Sequence, residues 1–356
     1  VEATEDPRET ARHGEHLYVM KPTMKSSKKS EGKGTWSDDE YAHPGLQALY
    51  LRLKSFQRFT ESWAIFQRAG ALGTFDKWLQ PTAEGAERPL LRVASLGGGP
   101  GYELLALAWY LRELAAARGV RPPRLDLVSL DLQPSWEPYL HALPEPDGVE
   151  PEAIYGAAKG GGAAKAKGDD DDDDGDLPPV ASLFGLGARK ASWADAMDDE
   201  EEAAEEAAAA AKVAKDAARA KADAEGRDTY RFAQWDIKAG VTAQDAAGGT
   251  LDLCLVSNVL VYCTDEPSAD VLAALLTSGV QAILLNERGA EQKMVEMVER
   301  RGVVVAKLLD QTSAAGCDDR QLIFLPEGSP PPQPLPAGAI EAVFPNVPYE
   351  EAKTGA

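Results

Sequence analysis

The stretch from Leu90 to Glu103 reads LLRVASLGGGPGYE and combines three signals that indicate the fold. It begins with a short apolar run of the length of a buried strand. Glycines follow at Gly97, Gly98, Gly99 and Gly101. They allow the backbone to turn sharply and to approach a ligand closely, and apolar side chains then recur at a helical spacing from Leu104 onward. This order predicts an α/β domain in which the free N–H groups at a helix N-terminus face a nucleotide-like ligand.

The spacing of the glycines separates the classes of ligand. A dinucleotide fingerprint, G-x-G-x-x-G, would place its third glycine at Tyr102 when counted from Gly97. A phosphate loop needs a lysine after Gly101, and none is there. The pattern that fits is G-x-G-x-G, with Gly99 at its centre. In this motif the sequence resembles the class I S-adenosylmethionine (SAM) dependent methyltransferases, which implies SAM as the cofactor.

The resemblance also implies a fold: a seven-stranded, mostly parallel, doubly wound sheet whose last strand is antiparallel. Apolar runs predict the strands after the first at 125–131, 230–235, 251–258, 280–285, 303–309 and 320–325. The last two runs are joined by about ten residues without a helical pattern, which favours an antiparallel hairpin. That hairpin supports the resemblance independently of the glycines, because a dehydrogenase sheet would end differently.

Carboxylates follow the second and third predicted strands. Asp131 stands at the end of the second strand, where an acid in nucleotide-binding α/β folds accepts hydrogen bonds from ribose hydroxyls. The alternative is a helix cap, because a helical stretch opens near Trp136, whose ring either stacks on adenine or packs in the core. The resemblance implies that Asp236 contacts the adenine amino group and that Ile237 packs on the ring. Leu132 is assigned to the same site.

The exit of the fourth strand, at Ser257 and Asn258, is predicted to face the same crevice as the glycines. The resemblance places the transferred methyl group there. Some base-amino methyltransferases carry [DN]-P-P-[FY] at this point, but this chain continues with Val259 and Leu260, which disfavours methylation of an adenine amino group. Asn258 and Tyr262 are candidates to orient an acceptor, and no catalytic residue is assigned. The predicted cofactor-binding residues are Gly97, Gly98, Gly99, Gly101, Asp131, Leu132, Asp236, Ile237, Ser257 and Asn258.

Composition limits the partners, the metal sites and the cellular compartments that can be expected. The chain has 356 residues and a formal net charge of −21. Roughly half of the negative excess falls between Glu150 and Asp228, so the charge of the rest does not decide for or against a nucleic acid partner. Three cysteines and four histidines lack metal-ligand spacing, which predicts no metal site and a reducing compartment, cytoplasmic or nuclear. No apolar run is long enough to span a membrane, so no membrane partner is expected.

Shifts in composition divide the chain. The helical segment, residues 44–82, is expected to cover the cofactor or to shape the acceptor pocket. Within it, Arg52, Arg58 and Arg68 are candidates to bind an anion. The first segment, residues 1–43, carries several lysines. They suggest a nuclear signal or an RNA-binding arm as the alternative to simple disorder. The predicted segments are a disordered basic arm (1–43), N-terminal helices (44–82), a SAM-binding domain (88–143 and 229–326), a low-complexity acidic and Ala-rich insertion (144–228) and a Pro-rich tail (327–356).

These observations predict a SAM-dependent methyltransferase whose acceptor is RNA, protein or a small molecule. The alternative is a catalytically weak SAM-binding domain that acts as a binding or assembly factor, which the missing substrate motif and the low-complexity segments favour. An NAD(P)-dependent oxidoreductase is disfavoured by Tyr102 at the third glycine position. The oligomeric state is not predicted.

Overall fold

The structure, a computed structural model, describes residues 6–20, 36–81, 86–143, 217, 226–287, 291–311, 319–330, 332–333, 335 and 338–339. The predicted low-complexity insertion lies almost wholly outside these residues. The lysine-rich part of the arm and most of the predicted tail also lie outside them.

A single sheet of seven strands forms the centre of the described fold. The strands are β1 (Leu90–Leu96), β2 (Arg124–Asp131), β3 (Thr229–Gln234), β4 (Leu253–Ser257), β5 (Ala282–Glu287), β6 (Val304–Gln311) and β7 (Asp319–Leu325). Their order is β3-β2-β1-β4-β5-β7-β6, and β7 runs antiparallel to both of its neighbours while β1 to β5 pair in parallel. The predicted seven-stranded sheet with a reversed last strand is confirmed.

Helices cover both faces of this sheet. They are α1 (Pro7–Val19), α2 (Asp38–Ala42), α3 (Pro44–Ala71), α4 (Tyr102–Arg118), α5 (Glu137–His141), α6 (Ala243–Ala247), α7 (Glu266–Thr277) and α8 (Glu291–Glu299). Val93 and Leu127 pack with α3 and α4 on one face, whereas Ala94 and Val128 pack with α6, α7 and α8 on the other. Because the central strands are buried on both faces, they appear in the sequence as continuous apolar runs.

The helix α3 is held against α4 by aromatic side chains. The ring of Tyr110 lies 6.0 Å from Phe66, 5.6 Å from Phe75 and 5.5 Å from Trp63, measured between centroids. Further along α3, Arg68 donates to the side-chain oxygen of Gln321 on β7 at 2.9 Å. These contacts fix α3 across the sheet, so that the N-terminal half of this helix reaches the carboxyl edge.

The prediction of a disordered arm over residues 1–43 is wrong for the part of the arm that the structure describes. Asp6 caps α1 by accepting from the backbone N–H groups of the first turn. The helix approaches α3 so closely that a Cβ added to Gly14 would lie 2.1 Å from the carbonyl carbon of Gly45. Trp36 is also buried, at 5% exposure. The contact depends on two glycines rather than on an apolar stripe, so hydrophobic periodicity does not reveal it.

Candidate functional site

A cavity of about 470 Å³ lies at the carboxyl edge of the sheet. It stands where β1 has β2 on one side and β4 on the other, the switch point at which open α/β sheets bind ligands. The predicted site residues that line it are Gly97, Gly98, Gly99, Asp131, Leu132, Asp236, Ile237, Ser257 and Asn258. Gly101 is the one predicted residue that is not part of this lining.

The glycine turn depends on the absence of side chains. Gly97 has φ 69°, and a Cβ there would lie 2.7 Å from Cγ2 of Val259. At Gly101, with φ 82°, a Cβ would lie 2.2 Å from Cδ1 of Leu140. Left-handed φ and close packing both favour glycine. Gly97 therefore brings the turn against the loop after β4, whereas Gly101 faces the core behind the cavity.

The carboxylate of Asp131 joins the end of β2 to the glycine turn. Its Oδ2 accepts from the backbone N–H of Gly99 at 2.8 Å, and its Oδ1 accepts from that of Gln133 at 2.9 Å. Burial raises the pKa of Asp131, while these backbone donors lower it. Because a carboxylate oxygen can accept more than one hydrogen bond, Asp131 can also receive a ligand hydroxyl. The turn at Pro134–Trp136 has no side-chain cap, although Trp136 is 5% exposed and lines the cavity.

Asp236 and Ile237 follow β3 and line the same end of the cavity. Oδ1 of Asp236 accepts from the backbone N–H of Lys238 at 2.8 Å, and this short turn sets the direction of the carboxylate. The neighbouring Trp235 is anchored because its indole N–H donates to the carbonyl oxygen of Val241 at 2.9 Å. This end of the cavity can therefore present an acceptor to an amino group beside an apolar side chain.

The loop after β4 forms the opposite wall and is fixed by the end of β5. Asn258 has φ 56°, a conformation that costs free energy for any residue other than glycine. Its backbone N–H donates to the carbonyl oxygen of Asn286 at 2.7 Å. Oε1 of Glu287 accepts from the N–H groups of Val259 at 3.0 Å and Leu260 at 3.1 Å. Burial raises the pKa of Glu287 to about 8.

Glu103 belongs to the cavity lining, although the sequence interpretation assigned it no role. It lies in the first turn of α4, directly after the glycine turn, and is 7% exposed. Burial raises its pKa to about 7, against the lowering effects of its own backbone N–H, of Arg58 and of the nearby Ser257 hydroxyl. An acid in a first helical turn is ordinary in sequence terms, so only its burial distinguishes it.

The three arginines proposed as anion-binding candidates are separated by the structure. Arg58 lines the cavity, where its Nη1 lies 2.9 Å from Oε2 of Glu61 and its Nε donates to the Tyr50 hydroxyl at 3.4 Å. Arg52 is exposed on α3, and Arg68 binds β7 as described above. Only Arg58 of the three is therefore placed to face a ligand in this cavity.

Residues of the N-terminal arm complete the lining. Trp36 and Tyr41 both face the cavity. The indole N–H of Trp36 donates to the carbonyl oxygen of Leu17 in α1 at 2.8 Å. The hydroxyl of Tyr41 lies 3.3 Å from that of Tyr262 in the loop after β4. The helical cover expected from residues 44–82 thus also includes part of the arm.

The described ranges contain no group of three or more His, Cys, Asp or Glu side chains arranged to hold a metal ion. They also contain no helix with the length and apolar character needed to span a membrane.

No family model matches the chain, and no curated protein sequence matches it. Solved structures do. DszA carbon methyltransferase is 12% identical and has a TM-score of 0.38, with 92% of this chain and 72% of that chain covered. Magnesium protoporphyrin IX methyltransferase from Synechocystis PCC 6803, solved with bound SAM, is 12% identical with a TM-score of 0.33, over 83% of this chain and 100% of the other. The citrinin polyketide synthase CMeT domain is 14% identical with a TM-score of 0.33 over 82% of this chain, which spans 56% of that domain's length.

Likeness at these identities and TM-scores says nothing of activity, so the fold is assigned from the sheet. The strands follow the order β3-β2-β1-β4-β5-β7-β6, β7 is reversed, and a glycine turn joins β1 to α4 at the switch point. This chain has the class I methyltransferase fold.

Proposed function

We propose that the protein is a SAM-dependent methyltransferase. The observation that carries the proposal is the single cavity that gathers the glycine turn, Asp131, Asp236 and the end of β4. SAM has two ribose hydroxyls and an adenine amino group, all of them donors. Asp131 would hold the hydroxyls and Asp236 the amino group, so the adenosine end would lie over β2 and β3.

The protein's own contribution to the reaction would be positioning. When bound, SAM supplies an electrophilic methyl group on a sulfonium. The glycine turn would fix its methionine end, and the loop that begins at Ser257 would form the wall where the acceptor approaches. Trp36, Tyr41 and Tyr262 would exclude water from this wall, because they close the cavity from the side of the N-terminal helices. Holding two reactants in line contributes on the order of several kcal/mol to a transfer barrier.

Calorimetry on the full chain tests the proposal directly. SAM and its demethylated product, S-adenosylhomocysteine, are expected to bind, and NAD is not. Incubation with methyl-labelled SAM and separate RNA, protein and small-molecule fractions is then expected to label one fraction, which identifies the acceptor class. Binding of NAD in preference to SAM, or no binding of SAM, would contradict the proposal. Binding without label in any fraction would contradict the transferase activity but not the site.

A further inference from the structure

Glu103 occupies a special position in the cavity wall. It is the second residue of the helix that follows the glycine turn, it is 7% exposed, and the hydroxyl of Ser257 lies near enough to lower its pKa. Ser257 ends β4, and the methyl group of the proposed cofactor is expected beside that strand end. Glu103 thus faces the reactive end of the cavity rather than the adenosine end.

Two acids near this end of the cavity have a pKa close to neutral, Glu103 and Glu287. Only Glu103 lines the cavity, whereas Glu287 accepts from the N–H groups of the loop after β4. From α3, Arg58 is already paired with Glu61 at 2.9 Å, so that pair has no net charge. Tyr50, also on α3, and Tyr102, on α4, are both neutral phenols whose pKa burial raises. Arg58 favours the carboxylate of Glu103, whereas burial and Glu61 disfavour it.

This inference rests on the proposed function. We infer that Glu103 is a specificity residue that distinguishes the sulfonium of SAM from the uncharged thioether of the product. A buried carboxylate attracts a nearby positive charge far more strongly than one in water, because little solvent screens the interaction. The thioether offers no such charge. Transfer of the methyl group therefore removes an attraction and favours release of the product.

The charge on Glu103 couples ligand binding to proton binding. Burial holds the pKa of Glu103 near 7, so part of the free protein carries a proton there at neutral pH. Binding of a positive sulfonium lowers this pKa and releases the proton, whereas binding of the thioether does not. The ratio of SAM affinity to product affinity should therefore rise as the pH increases through about 7 and level off above it. Each unit by which SAM lowers the pKa corresponds to about a tenfold change in the ratio.

The test is calorimetric titration of the full chain with SAM and with S-adenosylhomocysteine between about pH 6 and 8.5, in two buffers of different ionisation enthalpy. In the wild type, SAM is expected to release protons, and the affinity ratio is expected to rise about tenfold. In Glu103→Gln the rise of the ratio through about pH 7 should be absent. The matched control is Glu113→Gln, the same chemical change on the same helix about 15 Å further along its axis, which should behave as the wild type.

The possible results are distinct. A wild-type ratio that does not vary with pH, or a Glu103→Gln ratio that still rises through about pH 7, overturns the inference. Equal weakening of both ligands by Glu103→Gln at every pH also overturns it, because that is the behaviour of a purely structural residue. If Glu103→Gln does not fold, Ser257→Ala replaces it. Loss of the hydroxyl that lowers the pKa of Glu103 should move the midpoint of the ratio to higher pH, and an unchanged midpoint counts against the inference. A wild type that binds neither ligand refutes the proposed function instead.

Discussion

The two ends of the cavity are built in different ways. At the end proposed to hold adenosine (the adenosine end), Asp131 closes β2, Asp236 lies two residues after β3, and each accepts from an N–H two residues later. At the end proposed to hold the methyl group (the reactive end), Arg58 and Glu103 line the cavity and come from α3 and α4. Glu287, which binds the adjoining loop, comes from β5. The first end is a local consequence of where strands stop, whereas the second exists only once the helices have packed.

The two ends also differ in how firmly they hold charge. Burial raises the pKa of Asp131, whereas backbone N–H groups from Gln133 and Gly99 favour its ionised form. Burial also raises the pKa of Glu103, to about 7, and that of Glu287, to about 8. The end proposed to bind the methyl group thus presents acids that exchange protons near neutral pH. Substitutions that act on one end or on both can test this division.

Gly97→Ala should have the largest effect, because this residue touches both ends. The new methyl group would lie 2.7 Å from Cγ2 of Val259, in a backbone with φ 69°. The free energy of unfolding should fall by about 2–4 kcal/mol from strain and overpacking. SAM affinity should fall by more than about a hundredfold, a loss of about 3 kcal/mol. Urea unfolding and calorimetry measure the two quantities.

Gly119→Ala is the control for this change. Gly119 has φ 64°, but a Cβ there would meet nothing within 4 Å. Its substitution should cost about 1 kcal/mol of stability and leave SAM affinity unchanged. If both variants lose SAM affinity equally, contact between the glycine turn and the loop after β4 is not what joins the two ends.

Asp131→Ala should have an intermediate effect that is confined to the adenosine end. We expect SAM affinity to fall at least about tenfold, the free energy of one charge-assisted hydrogen bond. Adenosine alone should lose the same factor, because the contact is to the sugar. Asp131→Asn keeps an oxygen that can accept from Gly99 and separates loss of the turn from loss of the charge. Wild-type affinity in the alanine variant would refute the ribose role.

The same division explains what the sequence could predict. Apolar runs revealed every strand of the sheet, because a strand that is buried on both faces is apolar at nearly every position. The first and last residues of the strands were predicted less accurately. The fifth strand was predicted over 280–285 and spans Ala282–Glu287. The helix Ala243–Ala247 was missed, since five residues are too few to show a period. Asp131 and Asp236 were predicted to share a site because each stands near a strand end, and both line the cavity.

The reactive end could not be found in the same way. Glu103 is an acid in a first helical turn, and only the packing of α3 over that turn buries it. Glu287 closes an apolar strand, and its role depends on backbone donors from a loop nearly thirty residues earlier. Long-range burial of this kind has no signature in local composition. The cover by Trp36 and Tyr41 was hidden for the same reason, within a segment that appeared too polar to fold.

Glu287→Gln should change SAM affinity least and test the proton exchange of the reactive end. Glutamine keeps an oxygen for the N–H groups of Val259 and Leu260, so affinity at neutral pH should stay within about threefold, less than one net hydrogen bond. Stability should respond to pH instead. The charges that act on Glu287 are Arg58, which lowers its pKa, and Glu291, which raises it and is paired with Arg320 at 2.9 Å.

The direction in which stability changes with pH follows from the raised pKa of Glu287, about 8 against an ordinary 4.5. Between pH 4.5 and 8 the carboxyl of Glu287 is ionised in the unfolded chain but keeps its proton in the folded protein. The contribution of Glu287 to stability is therefore fully present below pH 4.5 and is lost as the pH rises through 8. Relative to Glu287→Gln, the wild type should lose on the order of 1 kcal/mol per pH unit in urea unfolding. Glu299→Gln, on the exposed side of α8, should leave the wild-type dependence unchanged. A difference between wild type and Glu287→Gln that is constant with pH would mean that folding does not shift the pKa of Glu287, and the contrast between the two ends would then lie in geometry alone.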